Sequence, residues 1–390
     1  MTPGGRTRPS RPTAADGHGG VLAAGRLADL VDAATGPHDA MAAWLRYRAA
    51  LGDVVADEGE RRLYALVAHR IDAARLPPAD LALIRAQRRG ARARHELLFD
   101  AAGQLADLFA GAGITPVFLK GIALQIRVFG DTVIRASSDI DIFVDRAALA
   151  PCLALIEAAG WTRKEDRPRT DDPDRIAAMR VKITYRMPGG VFVDIHWVAR
   201  EPLEFDAALS AAFAGATVMR AYRGRQWLIP SDLWLLFETI EHGINWNEVV
   251  PIRWLVDALA LLRLDDADID FDRLCTLVEQ ARLERIFSIG LGEIARVGGK
   301  GEIVPPAVLD RLAGARRGSR GRLDLRARLT RPSPLVTIGA SLSHYLLRHP
   351  APPLLRLLGY PAYYRMRALR CMTWAEVIGR AVARIRPGTR

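Results

Sequence analysis

Lysine is almost missing from this chain. Only Lys120, Lys164, Lys182 and Lys300 occur among 55 lysines and arginines. Cysteine is scarce as well: Cys152, Cys275 and Cys371 are odd in number and far apart. That spacing excludes a disulfide framework and the common zinc patterns, and a reducing compartment is the default expectation. No uncharged apolar run is long enough to span a bilayer. The opening Met-Thr-Pro-Gly-Gly-Arg segment has no apolar stretch, so no secretory leader is expected, and residues 1–18 read as a disordered tail. There is no internal repeat and no recognisable nucleic-acid reading motif.

What is present is a globular composition, half hydrophobic and a quarter charged, in 390 residues. That length suits two to three domains. The +11 net charge is unevenly placed. Residues 311–390 hold seventeen arginines, no lysine, and only Asp324 and Glu376 as acids, a formal +15 that leaves residues 1–310 at −4. Such a basic end suits nucleic acid, an anionic membrane surface or an acidic partner. Residues 335–347 and the following Pro-Ala-Pro-Pro-Leu-Leu-Arg-Leu-Leu stretch mix apolar, aromatic and arginine residues, as an interfacial amphipathic element does. The alternative is a basic helix packed on the core with its arginines in solvent.

The chemistry concentrates in Ser137-Ser138-Asp139-Ile140-Asp141-Ile142-Phe143-Val144. In a strand, i and i+2 share a face, so Asp139 and Asp141 project together while Ile140 and Ile142 enter a core. Side-by-side carboxylates repel, and a hard divalent cation, Mg²⁺ or Mn²⁺, relieves that repulsion. A second apolar strand, Val191–Trp197, carries Asp194 at its centre. If the two strands are adjacent, Asp194 completes a three-carboxylate cluster able to hold two metals. His196 falls on the face of Asp194, as a further ligand, a base for an acceptor hydroxyl, or a residue satisfied in the core. Gly189-Gly190 predicts a hairpin between this strand and residues 179–187. Asp-x-Asp by itself also fits a solvated strand end or a helix cap.

Upstream, Val117-Phe118-Leu119 runs into Lys120-Gly121 and a helix-like segment to about Val128. A glycine corner lets backbone N–H groups approach phosphate, Lys120 adds a point charge, and Arg135 adds a planar fork. Ser138 is grouped with these nucleotide contacts. A surface lysine for Lys120 and an ion pair with Asp131 or one of the acids for Arg135 are the plain alternatives.

Lys120-Gly121, Arg135, Asp139-x-Asp141 and Asp194-Ile195-His196-Trp197, in that order, resemble the nucleotidyltransferase superfamily with a DNA-polymerase-β-like fold. More narrowly they resemble a bacterial nucleotidyltransferase family with LKG…R…DIDI…DIHW motifs, over roughly residues 90–265. His242, Trp246, Arg253, Trp254 and Asp257 resemble that family's helical region. The resemblance implies an α+β fold: a polymerase-β-like core, a mixed sheet with flanking helices, between N-terminal and C-terminal helical regions. It implies Asp139, Asp141 and Asp194 as metal ligands and an NTP, ATP among them, as substrate. The Gly-Ser corner of the wider superfamily is Lys120-Gly121-Ile122 here, which removes a phosphate-bonding serine.

Along the chain, residues 19–112 read as an N-terminal helical region, residues 113–200 as the nucleotidyltransferase core, residues 201–300 as a helical domain and residues 301–390 as the basic, Arg-rich C-terminal region. Asp145, Asp206 and Ser231-Asp232 read as helix caps, and Asp257 with Arg253 as an i, i+4 pair. Loop 163–175 carries Arg163, Lys164, Arg167 and Arg169 toward solvent or phosphate.

The expected activity is metal-dependent transfer of an NMP to an acceptor (a small molecule, peptide, protein or RNA end) with release of pyrophosphate. In it Asp139 and Asp141 bind both metals, Asp194 binds the one at the nucleophile, and Lys120, Gly121 and Arg135 hold the triphosphate. The alternative is a catalytically silent nucleotide-binding or scaffold protein that uses the basic region on a partner or membrane. A cytoplasmic location is expected, either free or peripheral to a membrane.

Overall fold

A computed structural model describes residues 25–36, 39–131, 135–164, 172–200, 203–204, 206–244, 252–299, 303–316, 334–371 and 373–385. The 1–18 segment, Trp246, Arg167, Arg169, Lys300 and Asp324 lie outside the described residues.

Among the described residues five α-helices precede the sheet: α1 (Arg26–Thr35), α2 (Ala40–Leu51), α3 (Glu58–Arg61), α4 (Tyr64–Arg70) and α5 (Pro78–Ala110). Their apolar spacing of three and four is realised as a buried face, with Trp44, Tyr47 and Tyr64 fully enclosed. Proline stands at the first position of α5 and Gly111 follows its end, the usual start and stop chemistry.

The sheet is mixed, as the α+β expectation requires. Strands β1 (Val117–Phe118), β2 (Asp139–Phe143), β3 (Thr162–Arg163), β4 (Lys182–Arg186) and β5 (Phe192–His196) lie in the order β1-β2-β5-β4-β3. Only β2 and β5 are parallel; the other pairs are antiparallel. Residues 149–158 form the crossover helix α7 (Leu149–Ala158), ended by Gly160 at φ 80°. Asp145 precedes it, but its side chain makes no capping bond. The β4–β5 hairpin turns at Gly189-Gly190 as expected, with Gly190 at φ 86°. Its first strand begins at Lys182, because Pro173–Met179 is helical (α8).

Within residues 201–300, read as a helical domain, the structure adds a pair of strands. After α9 (Ala207–Gly215), capped by Asp206, the strands β6 (Thr217–Tyr222) and β7 (Arg225–Pro230) form a second, two-stranded sheet. The hairpin turns at Arg223-Gly224, both at positive φ (51° and 73°), which matches the twist of paired strands. Helices then resume as α10 (Asp232–Gly243), α11 (Arg253–Leu262), α12 (Phe271–Gln280), α13 (Glu284–Gly298) and α14 (Pro306–Arg316), followed by α15 (Pro334–Arg348), α16 (Pro353–Arg367) and α17 (Trp374–Ile385). Among the described residues no helix is long and apolar enough to cross a membrane.

One contiguous core runs from Leu30 to Leu312. An aromatic chain bolts the later helices to the sheet: Phe143 on β2, Phe213 on α9, Trp234 and Phe237 on α10 and Phe287 on α13, at successive centroid distances of 5.4, 5.3, 5.2 and 4.9 Å. Each such contact adds about 0.5–1.5 kcal/mol beyond burial. Asp232, at the start of α10, takes a two-pronged bond from Arg127 at 2.6 and 2.7 Å, so α10 is pinned to the segment after β1. These contacts fix α10 beside the carboxylate face of the sheet.

Candidate metal centre

Parallel pairing sets Asp141 on β2 opposite Asp194 on β5, and Phe143 opposite His196. The alternation seen in the sequence therefore brings the acids together. Asp141, Asp194 and His196 each offer one ligand atom, and these atoms lie within 4.8 Å of one another, all three residues buried. Nε2 of His196 is 3.0 Å from Oδ1 of Asp141. Asp139 stands two residues before Asp141 on β2, half-buried and outside that three-residue group, with Oγ of Ser138 donating to it at 3.0 Å.

Two ammonium groups meet these acids. Lys120 bonds Oδ1 of Asp141, and Lys182 bonds Oδ2 of Asp194. Oγ1 of Thr184 donates to the other oxygen of Asp194 at 2.5 Å. Lys182 and Thr184 were not singled out in the sequence. Their signal was there: the Gly189-Gly190 turn sets Thr184 opposite Asp194 and Lys182 opposite His196.

The electrostatics follow from this packing. Burial alone would raise Asp141, but the Lys120 ammonium and then His196 hold its carboxyl well below the usual range. Burial, then the Asp141 charge, raises Asp139. Burial and the Lys120 charge push the His196 imidazole down to about 4, so it is neutral at pH 7 and able to ligate. Hard carboxylate oxygens with one neutral imidazole suit a divalent cation, and the charge of such an ion would ease the repulsion that raises Asp139.

At the strand–helix corner, Lys120 sits at φ 45°, a left-handed conformation that a lysine adopts at a cost of about 1–3 kcal/mol. The helix it opens, α6 (Lys120–Leu124), passes directly into a π-turn over Gln125–Phe129. Gly121 is required for close approach. A Cβ there would come within 2.7 Å of Oγ of Ser137 and 3.2 Å of Nη1 of Arg135.

Arg135, expected at the triphosphate, is held by protein groups. Its Nε and Nη2 both bond Asp257 at 2.8 Å, its Nη1 bonds Ser137 at 2.8 Å, and it is buried. Asp257 thus pairs with Arg135 rather than with Arg253, which donates to the Ala136 carbonyl at 2.5 Å.

A cavity of about 160 Å³ opens beside Lys120, between the corner, α10 and α11. Arg62, Arg135, Arg253, Glu238, His242 and Trp254 line it. Among the described residues both carboxyl oxygens of Glu238 are buried without a partner, and burial pushes this acid up to about 7. Gly243 lets the indole of Trp254 close the corner, since a Cβ would fall 2.1 Å from its Cγ.

A search of curated proteins returns no match for this chain. A family model described as uncharacterised nucleotidyltransferase matches residues 59–299, a span that includes the whole sheet, the acid cluster and every residue lining the cavity. By that match, and by the buried acids and imidazole inside it, the chain belongs to the uncharacterised nucleotidyltransferase family.

Proposed function

We propose that this protein moves a nucleoside monophosphate from an NTP to a hydroxyl or similar acceptor and releases pyrophosphate. The observation that carries the reading is the register of Asp141 against Asp194, with Asp139 and His196 on the same face and a cation-lined cavity alongside. In the reaction an acceptor oxygen forms a bond to the α-phosphorus while the bond to the α–β bridging oxygen breaks. A divalent ion, Mg²⁺ or Mn²⁺, held by Asp139, Asp141 and Asp194 with His196 beside them, would supply positive charge to the attacking and leaving oxygens.

The chain's own groups divide the remaining work. Asp194, oriented by Thr184 and Lys182, accepts the proton of the acceptor hydroxyl. Lys120 lies where the acid face meets the cavity, and exchanges its Asp141 contact for a triphosphate oxygen. Arg253 and Arg62 extend the positive wall along which the phosphates lie. Arg135, tied to Asp257, lends charge and shape with Gly121 rather than a free fork, and Ser138 orients Asp139.

One observation favours a second reading. Lysine ammonium groups already neutralise Asp141 and Asp194, as they would in a silent nucleotide-binding or scaffold protein. Incubation with each α-³²P-labelled NTP, Mg²⁺ or Mn²⁺ and an extract of the protein's own host separates the two. A labelled product that disappears with Asp139→Asn/Asp141→Asn is the expected result, and it also delivers the acceptor. Metal-dependent nucleotide binding with no labelled product from any NTP would establish the silent protein instead.

A further inference from the structure

Most of the large apolar side chains exposed on the described surface belong to the last three helices. On α16, Leu354, Leu355, Leu357 and Leu358 are 58–68% exposed within five consecutive positions. The residue between them, Arg356, turns its guanidinium back onto the Leu346 carbonyl and leaves the leucines uninterrupted. On α17, Trp374, Ile378 and Val382 form an exposed stripe at i, i+4 and i+8. Leu335 and Ile338 of α15 are exposed too.

A surface helix of a globular protein turns its apolar stripe inward. Here the arrangement is reversed. Helix α17 is held through Glu376, which pairs with Arg175 of α8 at 3.2 Å, and its aliphatic stripe faces water. Helix α16 is held at its C-terminal half, where Arg367 pairs with Glu204 and Tyr363 packs on Tyr345 at 4.6 Å. The leucines occupy the other half. Arg365 lies over the Trp374 ring at 5.7 Å, placing a cation at the edge of the apolar stripe.

The charge of the region selects the occupant. Residues 334–385, which hold the three helices, carry seven arginines against Glu376 alone, a formal +6, inside a stretch of +15 over residues 311–390. Nucleic acid would match that charge and leave the leucines in water. A second copy of this chain would match the leucines but bring the same +15, which opposes association. An anionic bilayer matches both. We propose that α15, α16 and α17 dock the protein on an anionic lipid surface, with the leucines and Trp374 entering the headgroup boundary and the arginine excess meeting the lipid phosphates. This inference does not depend on the reading of the acid cluster.

The test uses the full-length protein in co-sedimentation with vesicles, either of phosphatidylcholine alone or of phosphatidylcholine and phosphatidylglycerol in equal parts. Expected is binding to the mixed vesicles, little to the neutral ones, and release as salt is raised. Leu354→Gln/Leu358→Gln and Trp374→Ala should each weaken binding about tenfold or more, the leucine variant with an unchanged thermal melting curve because both leucines are exposed. Equal binding to both vesicle types, or none, would overturn the proposal. So would salt-sensitive binding that the leucine variants leave intact, since charge alone would then explain it. A dimer in sedimentation velocity that these variants convert to monomers, without vesicle binding, would assign the surface to self-association instead.

Discussion

Asp141 and Asp194 are register partners on adjacent parallel strands, and each is met by a lysine ammonium, Lys120 on one side and Lys182 on the other. Two buried like charges at neighbouring positions are unfavourable by themselves. The two cations offset that repulsion without an ion, and a divalent ion would take over the same role. Asp141→Asn and Asp194→Asn should each lower nucleotidyl transfer by on the order of 10²–10³-fold, the size expected when several kcal/mol of charge stabilisation is lost. Steady-state rates with the identified acceptor check this; a loss below tenfold would remove these residues from the centre.

Lys120 lines the cavity and touches Asp141, so its removal should act on nucleotide affinity. Lys120→Met should weaken NTP binding by roughly 10–100-fold, the worth of a charge-assisted hydrogen bond. Isothermal titration with a non-hydrolysable NTP analogue measures it. Unchanged affinity would confine Lys120 to pairing with Asp141.

The Arg135–Asp257 pair is a matter of stability. It is buried and two-pronged, and it ties the segment before β2 to α11. Asp257→Ala leaves the guanidinium buried and unpaired, and should cost about 3–5 kcal/mol in denaturant unfolding. Arg135→Met/Asp257→Leu should recover much of that loss, because no uncompensated charge remains.

Glu238 supplies a pH signature. Its pKa rises from 4.5 to about 7 on folding because burial disfavours the carboxylate. The folded state then binds more protons than the unfolded one between those values, so this group's contribution to stability is present below pH 4.5 and falls as pH rises toward 7, then levels. The fall amounts to about 3 kcal/mol. Comparison of wild type with Glu238→Gln in urea unfolding at pH 5 and pH 8 isolates it from every group that the two proteins share. The wild type should lose stability relative to the variant over that interval. Parallel curves would mean that Glu238 stays ionised throughout.

Much of the centre was legible because strand alternation is short-range. Asp139-x-Asp141 and Asp194 needed only a period of two and an adjacent strand, and the glycine pair before β5 set the hairpin. The same reasoning, carried one strand further, would have found Lys182 and Thr184. Two features were beyond it. The partner of Arg135 lies 122 residues away on α11, a distance no local spacing encodes. The β6–β7 hairpin turns on Arg223-Gly224 with arginine in a left-handed conformation, where asparagine or aspartate is the usual signal. Ser231 stands at the capping position without a capping bond, while the neighbouring Asp232 takes the bonds of Arg127.

The most direct test of the centre is Mn²⁺ binding followed by electron paramagnetic resonance, with a non-hydrolysable NTP analogue, in wild type and in Asp141→Asn/Asp194→Asn. Wild type should take up Mn²⁺ in a nucleotide-dependent manner, and the double variant should leave the ion free in solution. Uptake that is the same in both proteins, or absent in both while the nucleotide still binds, would contradict a metal centre built on these two acids.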